Sequence, residues 1–256
     1  MTSRRGDSIK KILIPSWYVF LFNPSVCLSY SLNKCEFILM SPKGRKRRPP
    51  SLAAKCYNCI VMIKKPMAID LDDVLAAHVE AFVEFSNTQY GTDLTIEDYS
   101  EHWTEIWKME REEVEKRAAE FHIHENTAEY AVKEEAVTAL ETLSKTYDLY
   151  IVTARRASMV DNTIIWVDRH FPGVFKDIHF VPIWEPNNTI SKADICKRIG
   201  ANYIIDDLAS HCNLAASNGI HAILFGDYAW NRNEEITEDV TRCKNWSEVL
   251  SYLKLS

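Results

Sequence analysis

Two aspartates at the end of a short apolar run, Asp70 and Asp72, are the first candidates for chemistry in this chain. Ala68 and Ile69 before them suit a short buried strand, and a helical pattern follows from Val74. The carboxylates therefore lie at the carboxyl end of a predicted strand, where open α/β sheets bind ligands. Because two like charges so close resist joint ionisation, the pair predicts a bound cation or two carboxylates with different roles. Taken alone, it is equally typical of an ordinary strand end and turn.

Three further positions downstream carry groups suited to cation or phosphate chemistry: Thr153, Lys192 and the adjacent pair Asp206 and Asp207. Asp148–Thr153 and Asn202–Asp206 are apolar runs typical of strands, so Thr153 and the second acidic pair lie at strand ends. In a parallel sheet these ends share one edge, where the groups can converge with Asp70 and Asp72. Two acidic pairs in one place need a counterion, and oxygen-only ligands suit Mg²⁺, which often binds substrate phosphate as well.

Lys192 is a basic residue at a helix position where a positive charge is unfavourable. It lies in the first turn of a predicted helix, Ser191–Ile199, which opens with the capping box of Ser191 and Asp194 and closes at Gly200. The positive end of the helix dipole disfavours a cation there. An ammonium and a helix N-terminus together attract phosphate, so the position indicates an anion site. An ordinary exposed lysine is the alternative interpretation.

The elements that must position these residues alternate between strand and helix from Asp148 onward. Further strands are predicted at Ile178–Val181 and His221–Phe225, with helices over residues 160–171 and Trp246–Leu253. Repeated β-α-β units with short connections predict a parallel sheet covered by helices on both faces, an α/β fold.

Residues 74–147 follow a different pattern and are predicted to be almost entirely helical. Val74, His78, Phe82 and Phe85 lie on one stripe at helical spacing. Thr95–Asp98 forms a capping box, and another helix is predicted around Glu125–Ser144.

Charge divides the chain into two segments. Residues 1–66 carry 13 Lys+Arg against 2 Asp+Glu, whereas residues 67–256 carry 17 against 34. The acidic segment is a poor candidate for a nucleic-acid-binding surface. The basic cluster Lys43–Pro50 predicts a solvated linker, with a nuclear-import or anionic-surface patch as the alternative.

The first 66 residues are predicted to be a basic extension, disordered or targeting, ahead of a domain over residues 67–256. The apolar run Ile12–Phe22 is too short to span a bilayer, and basic residues precede it, which allows a mitochondrial targeting segment. Cys56 and Cys59 could join Cys27 and Cys35 in a zinc site, but the first pair is too widely spaced. Seven cysteines without a disulfide pattern indicate a reducing compartment, so the cytoplasm is the expected location and the mitochondrion the alternative.

The sequence resembles the haloacid-dehalogenase-like phosphohydrolases over about Met67–Ser256. The resemblance rests on four motifs in order: Asp70-Leu-Asp72-Asp-Val74, Thr153, Lys192 and Asp206-Asp207. The helical segment, about residues 76–147, is similar to the cap that this superfamily inserts after its first strand, on a Rossmann-like core. A less specific resemblance to the 5′-nucleotidase branch, of the deoxyribonucleotidase type, rests on Ile69–Ala76, His170–Gly173, Ile205–Asp207 and Phe225–Asn231.

The resemblance implies a role for each motif residue. Asp70 would be the nucleophile that forms an aspartyl-phosphate, and Asp72 would protonate the leaving alkoxide and then deprotonate water. Thr153 and Lys192 would hold the phosphoryl oxygens. Mg²⁺ would bind the carboxylates of Asp70 and Asp206 and the backbone carbonyl of Asp72, with Asp207 either a direct ligand or one layer further out.

Two features next to these motifs remain open. Asp73 stands where many relatives carry a small residue such as Gly, and its charge would lie near the cation. Arg155 and Arg156, just after Thr153, are either phosphate contacts or ordinary residues at a helix start.

The resemblance implies a Mg²⁺-dependent phosphomonoesterase, with (deoxy)nucleoside monophosphates as the expected substrates. Tyr99, Trp103 and Trp107 in the cap could stack a nucleobase, although helical spacing predicts that at least one tryptophan packs in the core. The alternatives are a phosphatase for another small phosphometabolite and a non-catalytic phosphate-binding protein of the same fold. No nucleic acid is expected to bind the folded domain, and the oligomeric state is left open.

Overall fold

The computed structural model describes residues 64–123, 127–181, 183 and 188–255. Their centre is a six-stranded parallel sheet in the order β3-β2-β1-β4-β5-β6. The strands are β1 Lys65–Ile69, β2 Tyr147–Thr153, β3 Phe175–Phe180, β4 Tyr203–Asp206, β5 His221–Phe225 and β6 Val240–Cys243. The order reverses direction at β1, which places a crevice between the carboxyl ends of β1 and its neighbours. The predicted α/β class is confirmed.

Helices cover both faces of this sheet. They are α1 His78–Tyr90, α2 Trp103–Trp107, α3 Arg111–Phe121, α4 Ala136–Thr146, α5 Val160–His170, α6 Lys192–Ile199, α7 Ala209–Ala216 and α8 Trp246–Tyr252. Short 3₁₀ turns occupy Ile96–Asp98 and Ala157–Met159. None of the helices in these described ranges is long and apolar enough to cross a membrane.

Side chains that alternate between the two faces of the strands form two separate hydrophobic cores, one on each side of the sheet. Met67 and Ile69 of β1 face a cluster that includes residues of α1, α4, α5 and α8. Ala68, between them, faces the opposite cluster, which α6 and α7 cover. Successive side chains of a strand point to opposite faces, so each central strand is buried on both sides.

Four predicted elements differ from the structure. α1 begins at His78 rather than Val74, and α4 begins at Ala136, well after the predicted start of a helix near Glu125. The segment before α4 is extended because it pairs with the turn after β1: the N–H of Ala77 donates to the carbonyl of Ala131 at 2.8 Å. Glu135 then adopts a left-handed φ of 62°, which ends this segment.

β3 and β6 are the other differences. β3 begins at Phe175, three residues before the predicted strand, and ends at Phe180. β6 was not predicted, because Val240–Cys243 is short and lacks an apolar run. The predictions for residues 1–63, including the basic cluster and the cysteine pair, lie outside the described residues.

The strand register brings the predicted chemical groups to one edge. The N–H of Asp70 donates to the carbonyl of Ile205 at 2.8 Å, so Asp70 continues the β1–β4 ladder into the loop beside Asp206. Ile69 pairs with Ile151 on the other side, which places Thr153 just beyond the same level.

The two sides of α4 give a test of the core. Leu140 is fully buried, whereas Val137 on the same helix is 45% exposed. We expect Leu140→Ala to lower the free energy of unfolding by about 2–5 kcal/mol, because it leaves a cavity. Val137→Ala should change it by about 0.5 kcal/mol or less. Urea denaturation of both variants measures the difference, and equal effects would contradict the assigned burial.

Candidate active site

Lys192 lies between two buried carboxylates at the carboxyl edge of the sheet. Its Nζ is 2.7 Å from Oδ2 of Asp70 and 2.7 Å from Oδ2 of Asp206. Ser191 caps α6, as predicted, with its side chain accepting the N–H of Asp194. The helix start therefore points the ammonium into the site, and the alternative of an exposed surface lysine is wrong, since Lys192 is 2% exposed.

Asp206 and Asp70 both contact this ammonium, but their pKa values shift in opposite directions. Burial opposes ionisation of Asp206, but Lys192 and His211 outweigh it and hold its pKa below the ordinary value. Its Oδ1 also accepts the N–H of Leu208 at 3.0 Å and lies 3.2 Å from Nδ1 of His211. Asp70 lacks this extra support, so burial raises its pKa to about 7 although Lys192 opposes the shift.

Asp70, Asp206 and Asp207 form a cluster that fits a divalent cation. One carboxylate oxygen of each lies within 4.8 Å of the others, and all three residues are buried. Oδ1 of Asp70 has no hydrogen-bond partner within the described part of the chain, although it is buried. Burial raises the pKa of Asp207 well above its usual range, and repulsion from Asp206 adds to the shift. A cation would relieve both the repulsion and the unpaired oxygen, which Lys192 alone does not.

The carboxylate of Asp72 faces a different partner, Arg155. Nε of Arg155 donates to Oδ1 at 3.1 Å and to Oδ2 at 3.0 Å, and Nη2 donates to Oδ1 at 2.6 Å. Burial disfavours the charge on Asp72, but Arg155 outweighs it and lowers the pKa to about 2. The side chain of Asp72 is thus outside the acidic cluster, in keeping with the prediction that Asp72 would contact a cation through its backbone carbonyl.

Arg155 is one of the residues whose role the sequence left open. Its Nη1 donates to Oγ1 of Thr163 at 3.0 Å, and its guanidinium lies 5.3 Å from the ring centroid of Tyr130. Its N–H donates to Oγ1 of Thr153 at 3.2 Å, so the buried threonine and the arginine are tied together at the end of β2. In the sequence, the indication of a role for Arg155 is its position two residues after Thr153. That position does not reveal Asp72 as its partner.

Asp73 does not join the cluster either. It adopts a left-handed φ of 57°, which explains why a residue such as Gly suits this position. Its Oδ1 accepts the N–H of Val79 at 3.1 Å, and its carboxylate lies 3.5 Å from Nδ1 of His78 and 3.7 Å from Nζ of Lys133. Asp73 therefore supports the first turn of α1 rather than contributing a ligand.

A cavity of about 450 Å³ opens over this edge. Asp70, Asp72, Thr153, Lys192 and Asp207 line its floor, and Tyr99, Trp103, His122, Arg156 and Trp230 are among its walls. Of the predicted base-stacking residues, Tyr99 and Trp103 reach this cavity. Trp107 packs in the core, where its ring stacks on Phe82 and its Nε1 donates to Ser86 at 3.1 Å.

The loop after β5 also contributes to the site, which the sequence indicated only by resemblance. Trp230 donates from Nε1 to Oδ2 of Asp207 at 2.7 Å. Asn231, fully buried, donates to the backbone carbonyls of Asp207 and Phe225, both at 2.9 Å. The loop therefore fixes the acidic pair at the end of β4.

The pair between Asp72 and Arg155 predicts a stability change. Arg155→Met should lower the free energy of unfolding by at least about 2 kcal/mol at pH 7, because the fall in the Asp72 pKa from 3.8 to about 2 is what remains after Arg155 has offset the effect of burial. Because the folded-state pKa is depressed, this contribution is present above pH 3.8 and is lost as the pH falls through about 2.

Urea denaturation at pH 7 measures this effect. Arg111→Met is the control, because its ion pair with Glu115 is exposed and should contribute about 0.5 kcal/mol or less. A loss no larger for Arg155→Met than for the control would rule out a stabilising pair.

Comparison with solved structures supports the fold. A haloacid dehalogenase-like family hydrolase of Streptococcus pneumoniae aligns with a TM-score of 0.56 at 15% identity, over 74% of this chain and 98% of that one. A HAD-superfamily hydrolase, subfamily IA, of Geobacter sulfurreducens aligns with a TM-score of 0.51 at 16% identity, over 74% and 96%. At these identities the likeness concerns the fold alone.

Sequence comparison adds the family. The protein "Putative nucleotidase YqfW" of Bacillus subtilis (strain 168) is 25% identical over 195 residues, which cover 73% of this chain and 92% of that protein. The family model of the 5′ nucleotidase, deoxy (pyrimidine), cytosolic type C proteins (NT5C) matches residues 63–255, three quarters of the chain. The matched segment contains the whole acidic cluster, Lys192 and the loop that holds them. The chain therefore belongs to the NT5C family, within the haloacid-dehalogenase-like phosphatases and nucleotidases.

Proposed function

We propose that this protein hydrolyses nucleoside monophosphates with Mg²⁺ through an aspartyl-phosphate on Asp70. The observation that carries the proposal is the position of Asp70 on the cavity floor, where Oδ2 contacts Lys192 and the buried Oδ1 has no hydrogen-bond partner among the described residues. An oxygen in that state is suited to attack phosphorus or to bind a cation. Family membership supports the same reaction class.

The residues divide the cation and phosphate roles between them. Asp70, Asp206 and Asp207 would hold Mg²⁺, with the backbone carbonyl of Asp72 as a further ligand. When bound, the cation would keep Asp70 ionised and neutralise charge on the phosphoryl oxygens. Lys192 and Thr153 face the cavity beside Asp70, where an ammonium and a hydroxyl can bind the remaining phosphoryl oxygens.

The chemical step transfers the phosphoryl group twice. An oxygen of Asp70 forms a bond to phosphorus as the bond to the ester oxygen breaks, and that oxygen takes a proton from Asp72. Water then attacks phosphorus and gives a proton to Asp72, and the bond to Asp70 breaks to release phosphate. Fixed charges around a loose transition state supply most of the rate gain.

Arg155 constrains the first of these steps. With Arg155 attached, Asp72 is ionised, which is the form that accepts a proton from water. To protonate a leaving alkoxide, Asp72 must first gain a proton, and this requires a weaker contact with Arg155. A substrate phosphate is an anion and competes with Asp72 for the guanidinium of Arg155. Substrate binding would therefore weaken the Asp72–Arg155 ion pair and allow Asp72 to gain a proton.

Substrate choice would lie in the aromatic wall of the cavity. Trp103 and Tyr99 are half-buried there, and Nε1 of Trp103 lies 3.4 Å from the hydroxyl of Tyr99. Aromatic side chains that line the same cavity as Thr153 and Lys192 suit a nucleobase, and each base–aromatic stack contributes ~1–3 kcal/mol. We propose the cytoplasm as the compartment, with the mitochondrion as the alternative if residues 1–66 act in targeting.

The first test is phosphate release by the full-length protein from a panel of nucleoside monophosphates and sugar phosphates. We expect preference for some nucleotides, loss of activity in EDTA and recovery with Mg²⁺. Asp70→Asn should lower kcat by at least about 10³-fold, because the nucleophile is removed.

Asp239→Asn is the control, since Asp239 is exposed, belongs to none of the motifs and does not line the cavity. Turnover of sugar phosphates alone would replace the nucleotidase assignment by another phosphatase. A folded protein that binds phosphate with Mg²⁺ but turns over none of the panel would support the non-catalytic alternative.

The aromatic wall gives a second prediction. Trp103→Leu should raise KM for a preferred nucleoside monophosphate by at least about fivefold, because a stacking partner of the base is lost. KM for glycerol phosphate, which has no base, should stay unchanged in the same preparation. A parallel loss for both substrates would mean that Trp103 supports the fold of the cavity instead of binding a base.

A further inference from the structure

Trp230 belongs to both the acidic cluster and the cavity wall. Its Nε1 donates to Oδ2 of Asp207 at 2.7 Å. Its ring stacks on Tyr228, with centroids 4.4 Å apart and planes 9° apart, and meets Tyr99 edge to face at 5.1 Å. Packing on two sides leaves the indole little freedom, so the direction of its N–H is set by the loop and not by the carboxylate alone.

The loop that carries Trp230 is anchored at several points. Oδ1 of Asn231 accepts the N–H of Tyr228 at 3.1 Å, and the two donations from Asn231 bind the backbones of Asp207 and Phe225. The hydroxyl of Tyr228 donates to the carbonyl of Asp73 at 2.7 Å, which fixes the ring on which Trp230 stacks. The backbone of Asp207 and the indole are thus held in one frame.

Asp207 differs from its two neighbours in the kind of partner that it has. Asp70 and Asp206 each contact the ammonium of Lys192, which neutralises part of their charge. For the side chain of Asp207, the donor within the described residues is the neutral N–H of Trp230. A neutral donor orients a carboxylate without cancelling its charge, so the charge stays available to a cation.

We propose that Trp230 is the positioning residue of the cation site: its N–H holds Oδ2 of Asp207 so that Oδ1 meets the cation shared with Asp70 and Asp206. This inference rests on the cation-dependent function proposed above. It assigns part of the cation affinity to a side chain that does not touch the cation.

Phenylalanine is the substitution that isolates the N–H. Trp230→Phe keeps an aromatic ring between Tyr228 and Tyr99 but removes the donor. Isothermal titration calorimetry of the EDTA-treated, dialysed full-length protein with MgCl₂, without substrate, measures the Kd directly. We expect Trp230→Phe to weaken Mg²⁺ binding by about 10–100-fold, the usual effect of removing a hydrogen bond to a metal ligand.

Trp107→Phe is the matched control. It removes another indole donor, to Oγ of Ser86, in a part of the core away from the acidic cluster. Its Mg²⁺ Kd should equal that of the unchanged protein. Trp230→Leu serves as a second variant in case the phenylalanine ring disturbs the loop, and it should show at least the same loss of affinity, with thermal unfolding in EDTA confirming the fold of each protein.

The outcomes separate this inference from the function on which it rests. Equal Mg²⁺ affinity of the unchanged protein and both Trp230 variants would overturn the role of Trp230 and leave the cation site intact. Absence of Mg²⁺ binding by the unchanged protein would overturn the cation site itself, and the inference with it. An equal loss in Trp107→Phe would show that the effect follows from a general change in packing.

Discussion

The contact of Lys192 with Asp70 and Asp206 is the interaction on which the rest of the site depends. Three ionisable groups are buried together at the edge of a parallel sheet, where none of them can rely on water. Removing one partner of such a buried set typically costs about 3–5 kcal/mol, because the remaining charge is left uncompensated. The fold must therefore place the Lys192 ammonium of α6 accurately between the carboxylates at the ends of β1 and β4.

The neighbouring aspartates show how one loop separates carboxylates into different tasks. Asp70 faces Lys192, Asp72 faces Arg155, and Asp73 faces the first turn of α1. Each aspartate pairs with a basic side chain or a helix start from a different part of the chain. The three carboxylates therefore do not converge on a single site. Under the proposed function, this arrangement places the nucleophile Asp70 next to Asp72, a proton carrier that is fixed separately, as a two-step phosphoryl transfer requires.

Asp207 of the acidic cluster is held by uncharged side chains of the loop after β5. Trp230 and Asn231 hold Asp207 through an indole and an amide, and Tyr228 joins the same loop to the backbone of Asp73. Neutral donors position the carboxylate while leaving its charge for a ligand. The same loop contacts Tyr99 in the cavity wall, so the acidic cluster and the cavity share one support.

Local sequence patterns were enough to predict the α/β class, the strand ends that carry Asp70, Thr153 and Asp206, and the capped start of the helix at Lys192. These features depend on local periodicity and on capping, which neighbouring residues decide. The sequence also indicated the family, because four motifs stand in a fixed order and the family match later spans them.

The partner of each charged or polar side chain in the site could not be predicted from the sequence, because these partners are distant along the chain. The partner of Asp72 is 83 residues away in the chain, and the donor to Asp207 lies 23 residues away in the loop after β5. The late start of α4 has the same cause, since residues 131–133 pair with the turn after β1 instead of continuing a helix. Such contacts arise from the packing of distant segments, and periodicity along one segment carries no information about them.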